Sequence, residues 1–277
     1  MQNTKKFYTG KYDRVFKTIL FDEDDVEITK EFLKRLLKVE IEEIRYLKNE
    51  LPVRNVEERT KIVDVLVKVN GVYLHMEINT SNPMYLHIRN LIFFETLFTK
   101  KTKVGETYDA FTKFIHIDLT YGIKGDDKEY REYYMMDEEQ KKYIKNKEIV
   151  EYNMDKIMSF WYNQEEKKIK EYRHLIMLDL EKEELERLSK GDDLVKEFAE
   201  KLIKLNEDET FQSAMTYEED QKLILNTEKQ MAFSDGIKEK NKEVVIGMLK
   251  DNLDINLISK YTNTTIEEIE QIKKEYF

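Results

Sequence analysis

Two carboxylates interrupt an otherwise apolar stretch, "IVDVLVKVNGVYLHMEINT" at residues 62–80, and they are Asp64 and Glu77. An Asn-Gly pair between two alternating apolar runs is typical of a two-residue hairpin turn. With the turn at Asn70 and Gly71, the register places the two acids directly opposite each other, with Cβ atoms about 5 Å apart. Carboxylates at that distance repel unless a cation lies between them, and they suit a hard divalent ion such as Mg²⁺ or Mn²⁺.

The alternative is that both acids face water on the exposed side of an antiparallel sheet, where their repulsion is mild. Ile62, Leu66 and Tyr73 share the face of the acids in this register, so the face is not plainly a solvated one. Both interpretations stay open on the residues alone. His75 also lies on this face, next to Glu77, and is either a packed histidine or a second contact of that carboxylate.

Basic residues follow in the next segment, "MYLHIRNLIFFETLFTK", which has helical periodicity. Arg89 and Lys100 are eleven residues apart, about three helical turns, and therefore share a face. A row of contacts to nucleic-acid phosphates is the functional interpretation, and Lys101 and Lys103 would extend it. A merely solvated helix face is the alternative.

The elements that must position these residues follow from the periodicity of apolar side chains. The spacing predicts two helical pieces before residue 40, strands at 44–48 and 111–122, and a helix between the hairpin and the second of these strands. The order helix, strand, strand, strand, helix, strand predicts an α/β core. We assign this core to residues 1–122.

The pattern after residue 122 is looser. "NKEIVEYN" and residues 172–182 are predicted as additional strands, followed by a region rich in helix formers. Short helices are predicted at about 236–250, 254–261 and 264–275. The sequence thus predicts an accessory region at 123–235 and a small helical tail at 236–277, whose Glu-rich last helix favours a structural or partner-binding role.

Charge and composition limit the classes of protein. The 277 residues hold 47 Lys and Arg against 57 Asp and Glu, and a net charge of −10 argues against a generic nucleic-acid coat protein. Residues 1–120 are nearly balanced, with 20 basic against 19 acidic side chains, so the acidity lies in the C-terminal half. The absence of Cys excludes disulfides and thiolate sites. No apolar run approaches the ~20 residues of a membrane span, and no secretory signal begins the sequence, which predicts a cytoplasmic protein without membrane contact.

Five segments in a fixed order resemble the PD-(D/E)XK nuclease superfamily, and more narrowly its recombination-promoting nuclease and putative transposase family. They are "YDRVFKTIL", "FLKRLL", "VDVLVKVNGVYLHMEI", "YLHIRNLIFFETLFTKKTKVGETYDAF" and "HLIMLDLEK". The resemblance implies a restriction-endonuclease-like αβββαβ core with a mixed sheet, followed by a mostly helical C-terminal region. It makes residues 1–122 the nuclease core.

The resemblance also implies an activity, metal-dependent endonucleolytic hydrolysis of DNA in recombination or mobile-element transposition. Mg²⁺ or Mn²⁺ would be held by Asp64, Glu77 and the backbone carbonyl of Ile78. The family has Lys or Gln two residues after the Glu, where it positions the attacking water. This sequence has Asn79, which is one methylene shorter than Gln, and the departure bears on the catalytic rate.

An acid of the first helix completes the family's site, and Asp13 of "YDRVFK" is the best match, with Glu31 as a second candidate. The alternative for Asp13 is a charge that complements the helix dipole. Because cleavage of both DNA strands needs two sites, a homodimer is expected.

Two other functions are compatible with this sequence. A protein with the same fold but weakened by Asn79 would bind DNA or protein without cutting. A structural or regulatory protein would use its acidic C-terminal half to engage a basic partner. DNA cleavage that requires Asp64 would distinguish the metal-dependent endonuclease from both of these alternatives.

Overall fold

The computed structural model describes residues 6–47, 50–51, 61–62, 65–81, 84–100, 113–143 and 146–277. The chain divides into two compact units, Met1–Asp208 and Glu209–Phe277. The three-part division predicted from the sequence, with boundaries after residues 122 and 235, is a different one and stays a prediction. Residue 235 itself lies inside a continuous helix.

The first unit combines a central sheet with helices, as the periodicity predicts. Its helices are α1 (Asp13–Leu20), α2 (Val26–Leu37), α3 (Leu86–Lys100), α4 (Met154–Tyr162), α5 (Glu166–Ile176), α6 (Lys182–Leu188) and α7 (Asp193–Glu207). Its strands are β1 (Ile44–Tyr46), β2 (Glu50–Leu51), β3 (Lys61–Ile62), β4 (Val65–Val69), β5 (Val72–Asn79), β6 (Phe114–Thr120), β7 (Tyr130–Tyr133) and β8 (Lys147–Asn153).

Six of these strands form one mixed sheet in the order β1-β4-β5-β6-β8-β7. The β1–β4, β4–β5 and β7–β8 pairs are antiparallel, whereas β5, β6 and β8 run parallel to one another. Helix α3 makes the crossover from β5 to β6, as parallel neighbours require. The α/β fold with a mixed sheet and a helical C-terminal region is therefore confirmed.

The β4–β5 hairpin has the predicted turn and the predicted register. Asn70 and Gly71 both have positive φ, 47° and 83°, which is the conformation of the expected two-residue turn. Val69 pairs with Val72 and Val65 with Met76. The hairpin thus fixes which side chains of β5 share a face.

The two faces of the sheet are covered by different helices. Helix α3 lies on the face of Glu77, because Arg89 contacts that residue and Phe94 packs edge-on against Phe114 of β6. Helices α2 and α5 lie on the opposite face, where a cavity of about 340 Å³ is lined by both and by apolar side chains of the sheet. The sheet is therefore the middle layer of three.

One predicted strand is wrong. Residues 172–182 form the end of helix α5, a short 3-10 turn at Met177–Asp179 and the start of α6. The run from Leu175 to Leu178 is completely buried, together with Leu180. A short apolar run surrounded by protein on all sides has no amphipathic period, so its pattern does not distinguish a buried helix from a buried strand.

The second unit comprises α8 (Glu209–Lys250), α9 (Ile255–Thr262) and α10 (Ile266–Tyr276). The helix expected to begin near residue 236 begins at Glu209. Val245, Ile258 and Ile269 form the centre of a small core between these helices. A capping box begins α10, since the hydroxyl of Thr265 accepts from the Glu268 amide and the Glu268 carboxylate accepts from the Thr265 amide.

No helix in the described ranges is both long enough and apolar enough to cross a lipid bilayer. The cytoplasmic location expected from the sequence stays a prediction.

Candidate active site

Three buried carboxylates lie side by side on one face of the sheet. The parallel registers place Glu77 of β5 beside Asp118 of β6, and Asp118 beside Glu151 of β8. The three residues are 3%, 1% and 5% exposed. Neighbouring strands are about 4.8 Å apart, so three acids in one row need compensating positive charge or hydrogen-bond donors. The interpretation that Glu77 faces water is therefore wrong.

Arg89 supplies a positive charge to the β5 end of this row. Its Nη2 donates to Glu77 Oε2 at 2.7 Å and to Asn79 Oδ1 at 2.7 Å. The Arg89 side chain is 39% exposed, whereas Glu77 is almost completely covered. The guanidinium thus contacts a buried carboxylate while part of the Arg89 side chain stays exposed to solvent.

The amide of Asn79 is held at both ends. Its oxygen accepts from Arg89, and its Nδ2 donates to Asp118 Oδ1 at 3.3 Å. These two partners assign the amide orientation, because a flipped amide would face a donor with a donor. Asn79 therefore connects the guanidinium of α3 with the carboxylate of β6.

Two buried histidines lie next to the row on the same face of the sheet, with their rings tilted by 39°. His116 Nε2 lies 3.0 Å from Asp118 Oδ2, and His116 Nδ1 lies 2.7 Å from His75 Nδ1. Burial opposes the charged form of His116, but the carboxylates of Asp118 and Glu77 raise its pKa above the usual value. Burial, with the charge of His116 next, lowers the pKa of His75 well below its usual value. We therefore assign a protonated His116 that donates to Asp118 and to a neutral His75.

That assignment leaves the remaining proton of His75 on Nε2, which faces Glu77 Oε1 at 3.6 Å. Within the described ranges this buried nitrogen has no hydrogen-bond partner. His75, considered from the sequence as a packed residue or as a contact of Glu77, lies close to that carboxylate.

Glu151 at the other end of the row has separate donors. His87 of α3 lies 3.2 Å from its Oε1, and the Tyr133 hydroxyl donates to its Oε2 at 2.9 Å. Burial and this hydrogen bond raise the pKa of Tyr133 to about 12. The first turn of α3 thus contributes one side chain to each end of the row, His87 to β8 and Arg89 to β5.

The remaining predicted residues are placed as follows. Asp64 lies outside the described residues, as do Lys101, Lys103 and the side chain of Lys100. Ile78 follows Glu77 in β5, and its side chain is buried on the opposite face. Asp13 begins α1, is about half exposed and pairs with Lys17 at 2.7 Å, while Glu31 of α2 pairs with Arg35 at 2.8 Å.

Sequence analysis missed Asp118 and Glu151. Asp118 is the single carboxylate of "FIHIDLT", as Glu77 is in β5, whereas Glu151 is one of two in "KEIVEYN", the other being Glu148. A search for acids inside strand-like segments would have found both, together with Glu148. Their proximity to Glu77 depends on the parallel registers, which no local pattern predicts.

The donor chemistry of Glu77 fits a divalent metal ion. Its carboxylate is a hard oxygen ligand, it is withdrawn from water, and the structure already pairs it with a cationic group. Among the described residues, no three His, Asp or Glu side chains are close enough to hold a metal ion together. The second acid expected to bind it, Asp64, is outside that part of the chain.

Comparison with known proteins gives one match. The family model described as PD-(D/E)XK nuclease family transposase matches residues 10–234, which includes every described residue of the row. No curated protein and no solved structure matches the chain. Because the matched segment covers most of the sequence and contains the mixed sheet with its buried acids, the chain belongs to the PD-(D/E)XK nuclease family transposases.

Proposed function

We propose that this protein is a metal-dependent endonuclease that hydrolyses phosphodiester bonds of DNA in recombination or mobile-element transposition. The observation that carries the proposal is the carboxylate of Glu77, which is buried at its predicted position in the hairpin and paired with the guanidinium of Arg89. A carboxylate without a task is costly to bury, because its charge must be compensated inside the protein.

Asp64, Glu77 and the backbone carbonyl of Ile78 would hold Mg²⁺ or Mn²⁺. The bound ion would stabilise negative charge on the phosphate and lower the pKa of a water molecule. PD-(D/E)XK nucleases generally use divalent metals, which supports this assignment. The protein itself excludes water around the carboxylate, since its neighbours His75 and Asp118 on the same face of the sheet are buried.

Arg89 and Lys100 of α3 would contact DNA phosphates. The exposed part of Arg89 supports this role, and Lys100 lies at the C-terminal end of the same helix. The local excess of seven basic over three acidic residues between positions 59 and 103 favours DNA on this side.

We retain Asp13 as the helix acid of the site. Its partner Lys17 is near enough to lower the pKa of His75, after the larger effects of burial, His116 and Arg89. Helix α1 therefore lies within electrostatic range of the polar row.

A second candidate function is a catalytically weakened module that binds DNA or protein. The engagement of the Asn79 amide by Arg89 and Asp118 favours it, because an amide with both ends occupied is less available to orient water. The homodimer is expected only for the first candidate function, the endonuclease, because cleavage of both DNA strands needs two sites.

Cleavage of supercoiled plasmid with Mg²⁺ or Mn²⁺ tests the proposal. The wild type is expected to nick the plasmid, and Asp64→Ala and Glu77→Ala are expected to lose about a thousandfold in rate, as removal of a metal worth ~4 kcal/mol would cause. Glu148→Gln, a carboxylate of β8 paired with Lys113 on the cavity side, is the matched control and should cut normally.

Cleavage separates the two candidate functions, and titration calorimetry measures whether Mn²⁺ binds. Cleavage only by Asn79→Gln would assign a nuclease fold weakened at that position. A protein that binds DNA and Mn²⁺ without cutting in any variant would be a binding module. Absence of cutting and of Mn²⁺ binding would overturn the nuclease proposal.

A further inference from the structure

We propose that Arg89 supplies the positive charge that the third position of the PD-(D/E)XK motif lacks in this chain, and that Asn79 serves to position Arg89. This inference rests on the proposed nuclease function and assigns two of its residues to new roles. Arg89 becomes a catalytic residue that touches the substrate phosphate, and Asn79 becomes a positioning residue.

The first observation is the position of the guanidinium. One nitrogen, Nη2, lies 2.7 Å from both Glu77 Oε2 and Asn79 Oδ1. Glu77 and Asn79 are two residues apart in a strand, so their side chains share a face and the guanidinium bridges them. The positive charge therefore lies directly above the motif, although it comes from a helix ten residues later.

The second observation is the state of Asn79. Its oxygen is committed to Arg89 and its nitrogen to Asp118, so the amide acts as a fixed link. Asp118 is in turn held by His116, a residue with no exposed surface. A chain of buried polar contacts thus fixes the Asn79 oxygen, and that oxygen orients the Arg89 nitrogen.

The third observation is exposure. Asn79 is buried, whereas the Arg89 side chain is 39% exposed. Only a group that reaches the surface of this face can meet a phosphodiester without a rearrangement of the sheet. A guanidinium also matches the geometry of phosphate oxygens and stays protonated at any working pH.

The inference is tested by transferring the positive charge from Arg89 of α3 to position 79 of β5. Arg89→Gln is expected to lower kcat for cleavage of a labelled DNA duplex with Mg²⁺ by about 100-fold or more, the usual loss when a group that stabilises transition-state charge is removed. KM should change much less, because the charge is used in the transition state. Adding Asn79→Lys to Arg89→Gln should restore kcat to within about tenfold of the wild type.

Two control variants keep the test specific. Asn79→Gln combined with Arg89→Gln adds length without charge and should not restore cleavage. Arg131→Gln removes an arginine of strand β7 that is likewise partly exposed, at 43%, and paired with a carboxylate, Asp126, and it should leave kcat unchanged. Thermal unfolding of every variant shows whether the folded fraction accounts for any loss.

Each other outcome overturns the inference. A folded Arg89→Gln with normal kcat and raised KM would make Arg89 a DNA contact only. A double variant that regains its unfolding temperature but not its kcat would make Arg89 a structural partner of Glu77. These results leave the nuclease proposal standing if the wild type cuts in an Asp64-dependent manner, whereas an inactive wild type overturns both.

Discussion

The two faces of strands β5 and β6 are buried to a similar extent but differ in what they bury. One face presents Leu74 and Ile117 to the cavity beside helices α2 and α5, with Met76 and Leu119 buried on the same face, and the other presents Glu77 and Asp118 beneath α3. Apolar burial stabilises the fold by removing surface from water. Buried acids contribute stability only if partners compensate their charge, so the stability of the polar face depends on its hydrogen bonds and ion pairs. A sheet that keeps such a face has a reason other than stability.

Removal of Asp118 should have the largest effect on stability. Asp118→Ala leaves His116 buried without its carboxylate, and we expect a loss of about 3–5 kcal/mol in the free energy of unfolding. Urea denaturation at pH 6, where the raised pKa keeps His116 protonated, measures it. Asp118→Leu together with His116→Leu should lose clearly less, since it removes both charges. A single variant within about 1 kcal/mol of the wild type would contradict a charge-compensated face.

A new cavity created by mutation on the apolar face should lower the free energy of unfolding somewhat less than Asp118→Ala does, and it should not affect cleavage. Leu119 is fully buried next to Asp118 in sequence, and Leu119→Ala should lower the free energy of unfolding by about 3 kcal/mol. The rate of DNA cleavage by the folded protein should not change. Leu119→Met conserves volume and is the control, with an expected loss below about 1.5 kcal/mol. A large fall in cleavage by folded Leu119→Ala would show that the two faces are not independent.

The smallest effect concerns pH. His174 lines the cavity of the apolar side, and burial, together with the charge of Arg35, lowers its pKa to about 3. Below pH 6.5 this histidine is protonated in the unfolded chain but stays neutral in the folded chain. The free energy of unfolding therefore falls as the pH decreases toward 3. By pH 5 the loss reaches about 2 kcal/mol.

His174→Leu should remove this part of the pH dependence. The difference in unfolding free energy between variant and wild type should shift by about 2 kcal/mol in favour of the variant between pH 7 and pH 5. Chemical denaturation at both pH values provides the comparison. Parallel pH profiles would mean that His174 is protonated in the folded state, and hence that the apolar side admits a charge.

Local patterns were sufficient for the elements whose determinants are close in sequence. The β4–β5 hairpin was predictable because Asn70 and Gly71 tolerate the positive φ that a two-residue turn requires. The cap of α10 was predictable because Thr265 and Glu268 are three residues apart. Residues 172–182 were mispredicted because a run buried on all sides by other elements carries no period of its own.

The candidate site divides in the same way. Glu77 was identified because a single acid in a largely apolar strand is visible in the sequence. Asp118 and Glu151 were not, since their place beside Glu77 depends on strands 41 and 33 residues apart aligning in parallel. The pairing of Arg89 with Glu77 and Asn79 depends on the angle at which α3 crosses the sheet.

The sequence by itself determined the family and the hairpin register and predicted the type of chemistry, because these depend on residue identities and on spacings of a few positions. Only the tertiary structure decided that three acids form one row, that Arg89 lies over the motif and that Asn79 is fixed at both ends. Those features are long-range contacts, and side chains that meet across strands or between a helix and a sheet leave no periodic signal in the chain.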